Sequence, residues 1–183
     1  MSSQLVFQDP RQLGPPTSFW KRHLAKRPGS HSARVKAFNA IVRDVGQATP
    51  VELFSATKEG VPSSLVELIE SAFRWPQNFV TSVIGVAPTT YTRKRDAGED
   101  LPEVVGQRVV SILRLEATLK RLLEESGDPD ALKHFDVNHW FSQWLLEPQP
   151  EIHGMQPAQL LWNQEGVRAL ELLLERMRGG LPA

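Results

Sequence analysis

The sequence predicts an all-α protein. Apolar residues recur at helical spacing in one segment after another, and the alternating patterns that make strands are nearly absent. Proline, glycine and capping side chains fall at the ends of those segments, where helices start and stop.

The elements follow in order. The first thirty residues hold Pro10, Pro15, Pro16, Pro28, Gly14 and Gly29 around a Phe19-Trp20 pair, which reads as mostly extended chain with a short helix over 17–27. Deleting residues 1–30 is therefore expected to spare the fold. A helix over 32–45 carries the stripe Val35, Phe38, Ile41, Val42, Val45 and ends at Gly46. After Thr49-Pro50 come a short helix over 50–58, a break at Gly60-Val61-Pro62, and a helix over 63–74 with Leu65, Leu68, Ile69 and Ala72 inward. Two more short helices are expected over 76–84 and 88–97. A long one over 102–126 turns Val105, Val109, Ile112, Leu115, Leu119 and Leu122 to its inner side, and Gly127-Asp128-Pro129 ends it.

Asp136 then caps a helix that runs out at Pro148. A loop with Pro148, Pro150, Gly154 and Pro157 leads to a turn of helix holding Leu160, Leu161 and Trp162. The final helix starts near Asn163, buries Val167, Leu170, Leu173, Leu174 and Met177, and closes on Gly179-Gly180. Three units are expected: a basic, partly disordered extension over 1–49, a module over 50–126 and a second over 127–183.

Charge supports that division. Lys and Arg balance Asp and Glu at 21 each, but residues 1–50 hold eight basic residues against two acids, and the rest holds thirteen against nineteen. A basic head on an acidic body suggests different partners for the two. Lys21, Arg22, Lys26 and Arg27 read either as a solubilising tail or as an arm that neutralises DNA phosphates.

Residues 76–98 carry the first functional signal. Phe79, Val80, Val83 and Ile84 give one helix an apolar face, Gly85 sits where a tight turn needs positive φ, Val86 plugs the core, and Pro88 opens the next helix. That helix presents Thr89, Thr90, Tyr91, Thr92, Arg93, Lys94 and Arg95. Hydroxyls near the start and cations one turn later suit base edges and phosphates, so Thr89, Thr90, Thr92, Arg93, Lys94 and Arg95 are the candidate DNA contacts of a helix-turn-helix.

Catalytic patterns are not found. There is no cysteine, and His23, His31, His134, His139 and His153 form no metal-ligand spacing. No phosphate loop or nucleophile–His–carboxylate pattern stands out, so neither enzyme activity, metal nor cofactor is expected. With no signal peptide and no long apolar run, a cytoplasmic protein without membrane contact is expected.

The C-terminal fifty residues resemble the toxin-binding domain of Xre/MbcA/ParS-type bacterial antitoxins. The resemblance rests on the Pro148-x-Pro150 step, the Gly154-x-x-Pro157-x-x-Leu160-Leu161 run, the Glu165-Gly166 pair and the Arg178-Gly179 ending, in that order. The helix-turn-helix candidate resembles the Xre-like module that precedes this domain in the same family, so the match spans 52–183. Two positions depart from the family: Ala87 stands where a capping serine is common, and Arg95 where an apolar residue is common.

The resemblance implies the antitoxin of a type II toxin–antitoxin pair. Its partner would be a RES-domain toxin that destroys NAD, covered sterically at its active-site entrance. It also implies repression of the protein's own promoter DNA by a homodimer or a larger hetero-oligomer with toxin. The candidate toxin-binding residues are Trp144, Leu160, Leu161, Trp162, Arg176, Arg178, Gly179 and Gly180. For Trp140, Phe141, Trp144 and Trp162, core and interface remain alternatives. The rival readings are a free-standing helix-turn-helix regulator with an oligomerisation domain, and an interaction protein that no longer binds DNA.

Overall fold

The computed structural model describes residues 19–24, 27–126 and 129–177. Among them every regular element is helical, joined by two isolated bridges, Pro62 with Asp100 and Gln149 with Met155. The helices are α1 (Lys21–Leu24), α2 (His31–Gln47), α3 (Pro50–Glu59), α4 (Leu65–Phe73), α5 (Gln77–Ile84), α6 (Pro88–Ala97), α7 (Glu103–Ser126), α8 (Pro129–Leu132), α9 (Val137–Trp144), α10 (Pro157–Leu160) and α11 (Gln164–Met177), with a 3-10 turn over Pro150–Ile152. Among the described residues no helix is long and apolar enough to cross a membrane.

Local chemistry sets most of these boundaries. Ser30 accepts from the Ala33 amide to start α2. Thr49 and Glu52 form a reciprocal capping box ahead of Pro50, which satisfies free amides at the start of α3. Asp136 accepts from the His139 amide to start α9. α9 stops at Trp144, short of the break expected at Pro148, because Leu145, Leu146 and Glu147 leave the regular helix as turns.

α7 is the spine. It packs against α2, α3, α5, α9 and α11, while α4 packs against α2, α5 and α9. Gly106 of α7 allows the Val61 side chain to come close, since a Cβ there would lie 2.9 Å from it. The buried residues of all these helices form one continuous cluster, centred on Phe38, Ile41, Leu65, Leu68, Ile69, Phe73, Ile84, Tyr91, Ile112, Leu113, Leu115 and Phe141. Phe73 stands at its aromatic centre, edge-on to Phe38, Trp75 and Phe141 at 5.0 to 5.8 Å.

The head expected to be loose is in part core. α2 lies against both α4 and α7. Phe19 and Trp20 are buried, and the Trp20 indole N–H donates to the Ala56 carbonyl of α3 at 3.0 Å. His23 sits 2.9 Å from Asp44 of α2, and Arg27 pairs with Glu67 of α4. Deleting residues 1–30 therefore removes core, contrary to expectation. The apolar Phe-Trp pair outweighs the polar, proline-bearing context that pointed to loose chain.

Candidate functional site

The α5–α6 pair has the geometry that the Gly85 turn requires. Gly85 adopts φ 71° and ψ 43°, and its amide and that of Val86 close the end of α5 onto Ser82 and Thr81 carbonyls. Val86 is buried, and Tyr91 is the one buried residue of α6. Thr81, itself buried, turns its hydroxyl onto the Gln77 and Asn78 carbonyls.

Helical geometry separates the three successive cations. Neighbouring residues on a helix point about 100° apart, so Arg93, Lys94 and Arg95 cannot share a face. Thr89 and Arg93, four apart, lie together on the open side, and the Arg93 side chain is 63% exposed. Thr90 and Thr92 are half-buried flankers. Lys94 is 20% exposed and donates to Glu99 at 3.1 Å, with Arg93 3.5 Å from the same carboxylate. These cations, Lys94 foremost, hold the Glu99 carboxyl below its ordinary range.

Arg95 faces inward. Its guanidinium lies 5.6 Å from the Tyr91 ring centre, donates to the Gln77 side chain at 3.1 Å and stands 3.9 Å from Glu67. An arginine thus docks α6 by stacking and hydrogen bonding where a purely apolar residue would do so by packing. Ala87 supplies no side-chain cap, and Pro88 at the first helical position removes one amide that would need it. Beneath α6, burial and then the Glu67 charge raise the Glu70 carboxyl above its ordinary value.

The C-terminal candidates divide by burial. Trp144 and Leu161, at 3% and 2% exposed, belong to the core, so an incoming partner reaches neither. Leu160 is half-buried and packs against that core. Trp162 is 54% exposed and Arg176 is exposed on the last turn of α11, so both are open to a partner. Arg178, Gly179 and Gly180 lie outside the described residues. Of the other aromatics, Phe141 is buried and Trp140 half-buried, stacked on Trp144 at 6.3 Å.

The family-like residues have physical jobs here. Pro148-Gln149-Pro150 leads into the 3-10 turn, His153 and Gly154 take positive φ, and Gln149 pairs with Met155 across the loop. Pro157 opens α10. Gly166 lies in the first turn of α11, its amide donating to the Asn163 side chain at 2.7 Å. A Cβ at Gly166 would fall on the Leu160 carbonyl oxygen and 2.9 Å from its carbon. Alanine normally improves a helix by about 0.5–1 kcal/mol over glycine. Against rigid backbone the clash wins, and Gly166→Ala is expected to cost about 1–3 kcal/mol in a urea titration. Stability equal to or above that of the parent protein would refute the close approach.

Two residues escaped the sequence reading. Arg108 of α7 donates to the Ile84 carbonyl at 2.9 Å, and its guanidinium carbon lies 3.9 Å from the Trp162 ring centre. Glu116 of α7 is fully buried, with the Lys120 ammonium 2.9 Å away. Its spacing was a usable signal, because Ile112, Glu116 and Leu119 follow the inward helical repeat. Among the described residues, no group of three or more His, Asp or Glu is placed to hold a metal.

No family model matches the chain, and no solved structure matches it. It is similar to the Prs ADP-ribosylating antitoxin of Sphingobium sp. (strain YBL2), with 28% identity over 144 residues, which are 79% of this chain and 86% of that protein. The resemblance first carried by the C-terminal motifs is borne out: over most of both lengths, this chain is similar to a bacterial antitoxin.

Proposed function

We propose that this protein is the antitoxin of a type II toxin–antitoxin pair whose toxin is a RES-domain enzyme that consumes NAD. The observation that carries the reading is the similarity to an antitoxin whose name refers to ADP-ribosylation. That reaction draws ADP-ribose from NAD, so a toxin of this chemistry has a cleft shaped for a dinucleotide. The antitoxin acts by steric cover and contributes no chemistry. Trp162 and Arg176 are open to such a partner. Beyond α11 the chain continues as Arg178-Gly179-Gly180-Leu181-Pro182-Ala183. Its cation suits a site for anionic phosphates, and its glycines permit close backbone approach.

Co-expression with the product of the adjacent reading frame tests this, with cellular NAD and growth as readouts. The intact protein preserves both. Removing residues 178–183 spares the fold and impairs protection, and Trp162→Ala weakens the complex. Full protection by the tail-less chain would remove the plug, and a partner that leaves NAD untouched would remove the RES-toxin reading.

The same protein, as a dimer or a larger complex with toxin in the cytoplasm, represses its own promoter through α6. Thr89 and Arg93 read the duplex, Lys94 exchanges Glu99 for a phosphate, and Arg95 positions the helix. Arg93→Ala is expected to weaken promoter binding by roughly 1–3 kcal/mol, and Lys94→Ala to flatten the salt dependence. Arg95→Ala lowers thermal stability as well. Unchanged affinity on replacing Arg93 and Lys94 together would exclude α6 as the DNA-reading helix.

A further inference from the structure

The Trp162 indole leans on the turn between α5 and α6. Its Cη2 lies 3.1 Å from where a Gly85 side chain would begin, and the Arg108 Nη1 atom is closer still. Arg108 fills the space between them. One edge of its guanidinium donates to the Ile84 carbonyl at the end of α5, where helix carbonyls lack partners within the helix. Its face stacks on the indole at 3.9 Å. Among the described residues its buried Nε has no hydrogen-bond partner, and the stack and the Ile84 bond both hold the group. Trp162 directly precedes Asn163, which caps α11, and its outer face is open. One guanidinium thus joins the turn that orients α6 to an open aromatic ring of the C-terminal segment.

We infer that Arg108 couples the two surfaces, so that a partner seated on Trp162 and DNA seated on α6 strengthen each other's binding. This rests on the functional reading above. The sign follows from solvation. A cation–π stack exposed to water is weak, and covering the open face of the ring removes water and strengthens it. A firmer stack holds Arg108 on the Ile84 carbonyl, narrows the motion of the Gly85 turn and fixes the pose of α6. By linkage, DNA on α6 then raises affinity for the partner by the same factor. Arg108 touches neither ligand and is a positioning residue.

The test measures affinity for a duplex covering the region upstream of the protein's own start codon, at fixed salt. Titrations are run with and without a saturating amount of the purified product of the adjacent reading frame. In the parent protein that product is expected to tighten DNA binding about fivefold or more. Arg108→Lys keeps the charge but loses the planar stack, and Arg108→Gln loses both. Each is expected to bind DNA and partner separately, with the coupling reduced to less than about twofold. A coupling factor of one in a parent protein that binds both ligands overturns the inference and leaves the functional reading standing. So does a factor that survives in both Arg108 variants. A parent protein that binds neither ligand overturns both. A measurement without partner guards against misfolded variants: amide hydrogen exchange at Gly85 and Val86 is expected to speed up in Arg108→Lys and in Trp162→Ala, while α2 and α4 keep their protection. Unchanged exchange at the turn also overturns the inference.

Discussion

Trp20→Ala is expected to cost about 3–5 kcal/mol and to lower the urea midpoint sharply, the range for removing a buried aromatic. Trp20 is buried, packs edge-on against Phe19 at 4.8 Å, and donates its indole N–H to the Ala56 carbonyl. Truncation opens a cavity between the chain entering α1 and α3, and it removes the donor from a carbonyl at the end of α3. His23 and Arg22 near Asp44 then have less to hold α1 on α2. Deleting residues 1–18, by contrast, leaves all these contacts in place. The pair of measurements separates the two parts of the basic head. Equal stability of Trp20→Ala and the parent protein would show that residues 19–24 contribute nothing to the core.

Glu116→Gln is expected to stabilise the protein at pH 8 and to flatten its pH dependence. Burial pushes the Glu116 carboxyl up from the ordinary 4.5 to about 7, against the opposing pull of Lys120. The unfolded chain releases this proton near 4.5 and the folded chain near 7, so between those values the folded state binds more protons. Stability from this group is therefore fully present below about pH 4.5 and is lost as pH rises to 7. The loss is on the order of 3.5 kcal/mol, one pKa unit being worth about 1.4 kcal/mol. Glutamine carries no charge to bury, and Lys120 keeps its bond to Asn39 at 2.8 Å. Urea titrations at pH 5 and pH 8 check this. An identical pH slope in the two proteins would mean that Glu116 is already ionised at pH 5 in the folded state.

Local patterns made the helices legible. The α6 range, the glycine turn before it and the inward faces of α2, α4, α7 and α11 all follow from apolar residues at helical spacing, because the backbone alone sets that period. The cap at Asp136 was visible for the same reason, since its partner lies three residues away. The C-terminal motifs were also readable: Gly166 and the loop prolines act on neighbours close in sequence.

Which of these side chains a partner can reach was decided only by tertiary contacts. Nothing near Trp144, Leu161 or Trp162 in sequence says that the first two are covered and the third is open. For Trp144 the packing that buries its helix comes from far away in the chain, since α9 lies against α4 and α7. Arg93, Lys94 and Arg95 look alike as a run, but Gln77 and Glu67 draw Arg95 inward and Lys94 lies half-buried on Glu99, while Arg93 reaches the same carboxylate and stays 63% exposed. Phe19 and Trp20 looked like part of a loose head, but both are buried and Trp20 bonds an α3 carbonyl. Sequence periodicity determined where helices form and which face is apolar. Long-range packing determined which polar groups are desolvated, which aromatics stay exposed and which arginine bridges two surfaces, because burial depends on neighbours brought together only by folding.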